Sequence, residues 1–251
     1  IRNDNNQLIN TISSASDSLY REWDGGPPPA ATLSKKNGLN RFVWDLRHPI
    51  MSGIPDTYIE ASYRGHRAIP GTYKLILTVG EKTVSTKAII TENPLYEMQS
   101  GQYLAYDNIM NTMEANLTAM HDMVNTLFNA NNQIKEIVSR LDAVKDEALI
   151  KKGTLLIEHL TTWDEEMIQR KSKAYDDVEN FPNKFTAEYI FLINQTESSI
   201  PRVNDQNRRR KFALDAQWKS FKNSGNSFLN SEIPNFNRLL WEAGIGAIKI
   251  N

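Results

Sequence analysis

The histidines are the side chains best suited to bind a metal or to move a proton at neutral pH. The chain has four of them, His48, His66, His121 and His159, and it has no cysteine. None of the four stands in an HExxH motif or in another metal-binding spacing. The sequence therefore predicts no metal site and no cofactor site. His121 falls beside Met120, off the apolar stripe of a predicted helix, and we expect it to be exposed.

Paired carboxylates are the next candidates for chemistry, because glycosidases place two carboxyl groups on either side of the scissile bond. Glu165-Glu166 and Asp176-Asp177 are adjacent pairs. Neighbours on a helix point about a third of a turn apart, so neither pair can straddle a bond, and we expect solvated faces. The sequence has no nucleophile–base motif and no glycine-rich nucleotide motif. We predict no catalytic residues and no enzyme activity for this chain by itself.

Two groups of residues are candidates for ligand binding. Four side chains of the irregular segment 48–68 could contact a sugar or a protein by stacking and hydrogen bonding: Tyr58, Tyr63, His66 and Arg67. Loop packing is the alternative for them. The run Arg208-Arg209-Arg210-Lys211 opens a predicted helix, where cations oppose the helix dipole. It marks either an acidic partner or a partly exposed helix start.

Composition and charge exclude several classes of function. The net charge of −1 predicts no attraction to nucleic acid or to an anionic membrane. No apolar run is long enough to span a bilayer. Without cysteine there is no disulfide framework and no thiolate nucleophile. The chain begins with Ile1 instead of an initiator methionine and has no signal peptide, so we expect it to be cut from a longer protein.

A strand of alternating residues is the element around which the first part of the chain is arranged. Residues 38–47 alternate with period two, which predicts a central sandwich strand with Trp44 in the core. Residues 72–79 and 83–90 alternate in the same way on either side of a turn. Together these strands predict a small antiparallel β domain. The proline-rich segment 13–36 is predicted to be loop.

These strand phrases carry a resemblance. "GLNRFVWDLR" at 38–47 and "IPGTYKLILTVGEKTVSTKAIITENP" at 69–94 are followed by "NFPNK" at 180–184. The combination resembles the C-terminal Ig-like module and helical region of bacterial secreted proteins with BNR or sortilin-type β-propellers, which are glycosyl-hydrolase-like. The resemblance implies that a propeller lies upstream and binds or cleaves glycans. It also implies a secreted, periplasmic or cell-surface location.

The pattern changes at Asn93-Pro94, since seven of the 12 glycines and seven of the 10 prolines precede residue 95. Asn93 or Ser100 could cap the helix that follows. Apolar residues then recur at alternating spacings of three and four, which predicts one helix over 100–141. We call these residues the seam: Tyr103, Tyr106, Met110, Met113, Leu117, Met120, Val124, Leu127, Ile134, Val138 and Leu141.

One seam position is polar. Asn131 either fixes the register of the packed helices or faces a water-filled gap. Glu114, Asn125 and Glu136 fall between seam positions, where we expect a solvated outer face.

Three further helices follow from similar patterns. They are predicted at 149–167, where Gly153 allows a neighbouring helix to come close, at 185–197, and from Asn204 or Asp205 onward. Pro234 either kinks the last helix or starts a new one. The tail 245–251 is predicted to be extended. The later helices carry enough bulky residues to cover the seam, so we expect burial within the chain and a monomer.

The predicted fold class is therefore α+β, with an Ig-like β-sandwich at 1–93 and an antiparallel four-helix bundle at 94–251. The predicted function is that of a non-catalytic accessory region, which supports or positions an upstream propeller. Two alternatives stay open at this point. One is a module that binds a protein or a glycan, and the other is an enzyme with its site in the groove between the domains.

Overall fold

A computed structural model describes residues 1–95, 98–99, 101–143 and 145–250. A small sheet precedes a set of helices. The strands are β1 (Arg2–Asn3), β2 (Gly71–Val79) and β3 (Lys82–Ile90). The helices are α1 (Gln102–Arg140), α2 (Glu147–Met167), α3 (Asp177–Asn180), α4 (Phe185–Glu197), α5 (Asp205–Ser227) and α6 (Ile233–Glu242), and a π-helical segment (Phe228–Glu232) joins the last two.

The long helix α1 confirms the seam prediction. Seam residues from Tyr106 to Ile134 are at most 1% exposed, and they are covered by other parts of the same chain. The helix begins after Gly101, whose φ of 81° lies in the left-handed region. Asn93 instead accepts a hydrogen bond from the backbone of Leu95, at 3.0 Å. Ser100, the other predicted cap, lies outside the described residues.

The later helices also match their predicted positions. The side chain of Asn204 accepts a hydrogen bond from Asn207 N at 2.7 Å, which caps α5 as predicted. The polar seam residue Asn131 is 3% exposed and donates to Thr161 Oγ1 of α2 at 3.1 Å. Pro234 stands in the first turn of α6, directly after the π-helical segment. The chain therefore continues in helical form through this point.

The helices do not form the predicted four-helix bundle, and this part of the fold class is wrong. Helix α1 has 39 residues, whereas α2 has 21 and α4 has 13, so no single helix matches its length. The irregular segment 48–68 also packs on α1. Four of its side chains enter the same core as the helices: Met51, Ile54, Ile59 and Tyr63. The domain boundary at residue 94 stays a prediction, but the larger core crosses that position.

The predicted Ig-like sandwich is also wrong, because the described residues form one three-stranded antiparallel sheet in the order β1-β2-β3. Residues 38–47 are not a regular strand. The side chain of Asn40 donates to Lys36 O and Gly38 O and accepts from Lys36 N. Such local bonds compete with a sheet ladder. Leu46 has a φ of 61°, which ends the extended run.

Trp44, predicted in the core, is only half-buried. Its ring packs edge-on against Tyr73 at 5.7 Å, and its indole N–H donates to Arg47 O at 3.0 Å. The β2–β3 hairpin itself is confirmed, with Tyr73 opposite Ala88 and Leu77 opposite Val84. No helix within the described ranges is long and apolar enough to cross a membrane.

Candidate functional site

Two carboxylates of α1 meet a histidine of the irregular segment. Asp107 and Glu114 are one heptad apart, so they lie on the same face of the helix. His66 fits between them with none of its side chain exposed. The helix thus supplies the acidic groups and the segment 48–68 supplies the imidazole. We call His48, His66, Asp107 and Glu114 the histidine–carboxylate cluster.

Both ring nitrogens of His66 contact carboxylates. Nε2 lies 3.1 Å from Asp107 Oδ1, and Nδ1 lies 3.0 Å from Glu114 Oε2. The second oxygen of Glu114 accepts the backbone N–H of His66 at 2.7 Å. Asp107 is held in turn by Asn111, whose Nδ2 donates to Oδ2 at 2.8 Å. His66 is therefore held at three points, two on its ring and one on its backbone, and Asp107 has a further hydrogen-bond donor in Asn111.

His48 completes the cluster by stacking on His66, with ring centroids 3.8 Å apart and planes 21° apart. Its Nε2 lies 3.8 Å from Asp107 Oδ1. That nitrogen is buried and has no hydrogen-bond partner among the described residues. A buried polar atom without a partner is uncommon and requires an explanation.

The pKa values of the two stacked rings are shifted in opposite directions. Burial lowers the pKa of His66, but its hydrogen bonds to Asp107 and Glu114 outweigh burial and raise this pKa to about 9. Burial, and then the nearby charge of His66, lower the pKa of His48 to about 4. At neutral pH the cluster therefore holds one imidazolium against one neutral imidazole whose Nε2 lacks a partner.

An open cleft leads to this cluster. It has a volume of about 590 Å³, and both His48 and Asp107 contribute to its wall. Its other side is formed by the first residues of the chain and by the start of β2, including Asp4 and Tyr73. His48 and Asp107 can thus be reached from this cleft, whereas His66 and Glu114 do not line it.

The cluster changes the outcome of the sequence predictions. Sequence patterns indicated no convergence of ionisable groups, yet the structure brings four together between the first part of the chain and α1. Glu114, predicted to face solvent, is instead bonded to a buried imidazole. A one-heptad spacing of two acidic residues was the available signal on α1. His48 and His66 lie in a segment without periodicity, so no pattern linked them to it.

The proposed ligand-binding group at 48–68 does not come together. Tyr63 is 2% exposed and belongs to the larger core, whereas Tyr58 packs edge-on against Tyr175 at 6.5 Å. Arg67 points to Glu197, with 3.6 Å between Nε and Oε1. His66 joins the histidine–carboxylate cluster instead. These residues therefore do not form the wall of one binding site.

The basic run that opens α5 is largely engaged by its own chain. Arg208 donates to Val203 O at 3.2 Å. Arg210 pairs with Glu188, and Lys211 lies 2.5 Å from Asp215 Oδ2. The run is therefore the start of a helix with local ion pairs, which agrees with the second of its two interpretations.

The acidic pairs and the remaining histidines lie apart from the cluster. Glu165 and Glu166 are exposed, as predicted, whereas Asp177 Oδ2 accepts two backbone N–H groups before α3. His159 is half-exposed and lies 3.8 Å from Glu232. The prediction that His121 is exposed is wrong. Its ring is fully buried, and Nδ1 lies 2.7 Å from Ser52 O.

His121 is buried because the segment 48–68 packs over this face of α1. Burial lowers the pKa of His121 to about 4, so the ring is neutral at pH 7. It packs near Tyr63, with ring centroids 6.4 Å apart. This histidine therefore belongs to the packing of the segment on α1, at some distance along the helix from Asp107 and Glu114.

Comparison with protein-family models, with curated proteins and with solved structures finds no match to this chain. The resemblance to the propeller-associated region thus stays a prediction from the phrases at 38–47, 69–94 and 180–184.

Proposed function

We propose that this chain is the non-catalytic accessory region of a larger protein, and that its β-hairpin packs against a neighbouring folded domain. The observation that carries the proposal is the uncovered apolar face of the hairpin. Leu77 is 49% exposed, and its cross-strand partner Val84 is 64% exposed. Large apolar residues facing solvent together are typical of interaction surfaces.

The exposed face continues into a groove. The groove has a volume of about 680 Å³ and lies between the hairpin and the extended residues before it. Leu75, Leu77 and Val84 line one side, and Phe42 and Trp44 line the other. A sheet normally buries its apolar face against a second layer. In the described part of the chain no second sheet covers this face, so a neighbouring domain would supply the missing layer.

The resemblance suggests the nature of that domain. We propose a β-propeller of a secreted glycosyl-hydrolase-like protein, and hence a secreted, periplasmic or cell-surface location. Residues 38–47 and 69–94, which carry the resemblance, include both walls of the groove. The support for this part of the proposal comes from those phrases alone.

The test compares amide hydrogen exchange of the hairpin in this chain and in the full-length parent protein. Strand β3 is an edge strand, so its outward amides should exchange quickly in this chain. We expect strong protection of these amides in the parent. Equal exchange in both proteins would overturn the docking proposal. A parent without a propeller would overturn only the identity of the neighbouring domain.

A matched pair of variants of the parent tests the face itself. Leu77→Lys places a charge on the apolar face and should remove the added protection. Ile89→Lys is the control, because Ile89 is 73% exposed and pairs with Thr72 on the opposite face. It should leave the protection unchanged. Equal effects of both variants would mean that this face is not the docking surface.

A catalytic role is the second candidate, because the structure brings ionisable groups to a cleft. His48 and Asp107 are the two cluster residues that line it. The check is turnover of aryl glycosides, esters and phosphate esters by the purified chain. Following the first proposal, we expect none. Turnover that is lost in Asp107→Asn but kept in Glu165→Gln would establish the catalytic alternative.

A further inference from the structure

We propose that His48, His66 and Asp107 bind a divalent transition-metal ion, with Zn²⁺ as the best-fitting ion. Their ligand atoms are two imidazole nitrogens and one carboxylate oxygen, and all lie within 4.8 Å of one another. Donors in tetrahedral zinc sites lie about 2.0–2.2 Å from the ion, which puts them roughly 3.4 Å from each other. The separations of 3.1 Å and 3.8 Å from Asp107 Oδ1 are close to that value.

The unpaired nitrogen of His48 is the independent observation that points to a ligand. The side chain is 9% exposed, and its Nε2 is buried without a partner among the described residues. This atom is directed toward Asp107, the residue that His66 also contacts. A neutral imidazole nitrogen is the commonest metal ligand in proteins. An ion between the three side chains would give this nitrogen the partner that the protein does not supply.

The residues behind the three ligands have the arrangement of an outer coordination shell. Glu114 holds Nδ1 of His66 at 3.0 Å and so directs Nε2 toward the site. Asn111 donates to the second oxygen of Asp107 at 2.8 Å, which directs the first oxygen in the same way. Ligating histidines usually donate their other N–H to such a carboxylate. The orientation of two ligands is therefore already set.

Binding requires one local adjustment. The stacked rings of His48 and His66 are nearly parallel, so their nitrogen lone pairs cannot both meet one ion until a ring tilts. His48 is free to do this, because its Nε2 makes no hydrogen bond within the described residues. The ion would replace the hydrogen bond that joins His66 Nε2 to Asp107 Oδ1, and any proton held there would leave to solvent. The cleft provides the entry path and space for a water molecule as fourth ligand.

The donor set selects among metal ions. Imidazole suits Zn²⁺ and its first-row neighbours, whereas Ca²⁺ and Mg²⁺ prefer sites made of oxygen ligands. Two nitrogens and one oxygen therefore favour the first group. This inference does not depend on the docking proposal, since the hairpin face and the cluster share none of these residues.

The test titrates the chelator-treated chain with Zn²⁺ by calorimetry and with Co²⁺ by visible absorption. We expect one ion per chain, Co²⁺ bands of a site with nitrogen ligands, and no competition from Mg²⁺. His48→Phe keeps a ring on His66 but removes the free nitrogen, and it should weaken binding at least tenfold. Glu114→Gln should weaken it about 10–100-fold, as outer-shell changes do. Thermal unfolding of each variant verifies that it is folded.

The control is His159→Ala, because His159 and Glu232 form another histidine–carboxylate pair, which lies at the surface. This variant should bind Zn²⁺ as tightly as the unchanged chain. The proposal is overturned if the folded chain takes up neither ion. It is equally overturned if His48→Phe binds normally, or if binding is lost in His159→Ala instead.

Discussion

The two hydrophobic cores of this chain differ in how completely they are closed. The larger one joins residues from α1, α2, α4, α5 and α6 to the segment 48–68, and its central side chains are inaccessible to solvent. The smaller one, beside the sheet, has three buried apolar residues in the described part of the chain, namely Ile9, Ala68 and Tyr73. Leu77 and Val84 of the same sheet remain exposed.

This difference indicates which part of the chain contributes most to its stability. Burial of apolar area is the main favourable contribution to folding. The helical region obtains it within the chain, because an irregular segment covers what the helices leave open. The sheet has one layer and obtains little. Substitutions in the larger core should therefore lower the free energy of unfolding by a large amount, and substitutions in the smaller core by a small amount.

The largest effect is expected for Leu160→Ala in α2. Leu160 is 1% exposed in the larger core, so its removal should lower the free energy of unfolding by about 2–5 kcal/mol. Leu155→Ala is the matched control on the same helix, because Leu155 is 52% exposed. It should change stability by less than about 1 kcal/mol. Urea unfolding measures both, and equal losses would contradict a closed core.

The second prediction is that acidic pH destabilises the chain through His121, which the segment 48–68 buries. The pKa of His121 is about 4 in the folded chain and 6.5 in the unfolded chain. Below pH 6.5 the unfolded state therefore takes up a proton first, and stability falls until about pH 4. The full loss is roughly 3 kcal/mol at 1.36 kcal/mol per pKa unit. The contribution is fully present above pH 6.5.

Substitution isolates this contribution from those of His48 and His66. The difference in unfolding free energy between the unchanged chain and His121→Gln should shrink as pH falls from 7 to 4. Leu155→Ala, which removes an exposed side chain without a titratable group, should show no such trend. A constant difference for His121→Gln would mean that the segment 48–68 does not bury this ring in solution.

Trp44→Ala tests the smaller core. A fully buried large aromatic residue costs about 3–5 kcal/mol when it is truncated, and the half-buried Trp44 should cost roughly 1–2 kcal/mol. Truncation removes the edge-on packing against Tyr73 and the indole hydrogen bond to Arg47 O. Urea unfolding measures the change. A destabilisation as large as that of Leu160→Ala would show that the sheet has a closed core of its own.

The helices could be predicted because their patterns are local and repeated. Residues 185–197 coincide with α4, and the seam fixed the course of α1. The conformation of residues 38–47 could not be predicted correctly, because alternation indicates an extended chain but does not supply a partner strand. There the hydrogen bonds of Asn40 with Lys36 and Gly38 replace a ladder. The pattern of one segment thus predicts the conformation of that segment better than it predicts which strand will pair with it.

The histidine–carboxylate cluster was missed for a related reason. Asp107 and Glu114 are separated by 7 residues on a recognised helix, so their common face could be deduced. The partner of that face is the segment 48–68, which has no period and no motif. It is held on α1 by apolar side chains in the larger core and by hydrogen bonds of His66 and Ser52 to α1 side chains. Such long-range packing has no signature in either segment alone.

The smallest effect is expected at Gly153, where α2 approaches its neighbours. A Cβ atom at this position would lie 2.4 Å from Val138 Cγ2 and 3.0 Å from Phe236 Cζ. Glycine to alanine in a helix normally gains about 1 kcal/mol, whereas overpacking a core costs about 1–3 kcal/mol. Gly153→Ala should therefore lose roughly 1 kcal/mol in net stability by urea unfolding.

Removal of the opposing methyl groups should reverse the sign of this effect. In a Val138→Ala background the clash with Cγ2 is absent, so Gly153→Ala should become neutral or stabilising, because the helix propensity remains. Gly246→Ala in the tail is the control, since nothing lies within 4 Å of its Cβ position. If Gly153→Ala stabilises the unchanged chain, α1 and α2 are packed less tightly than the closed core requires. The larger core would then be only somewhat more closely packed than the smaller one.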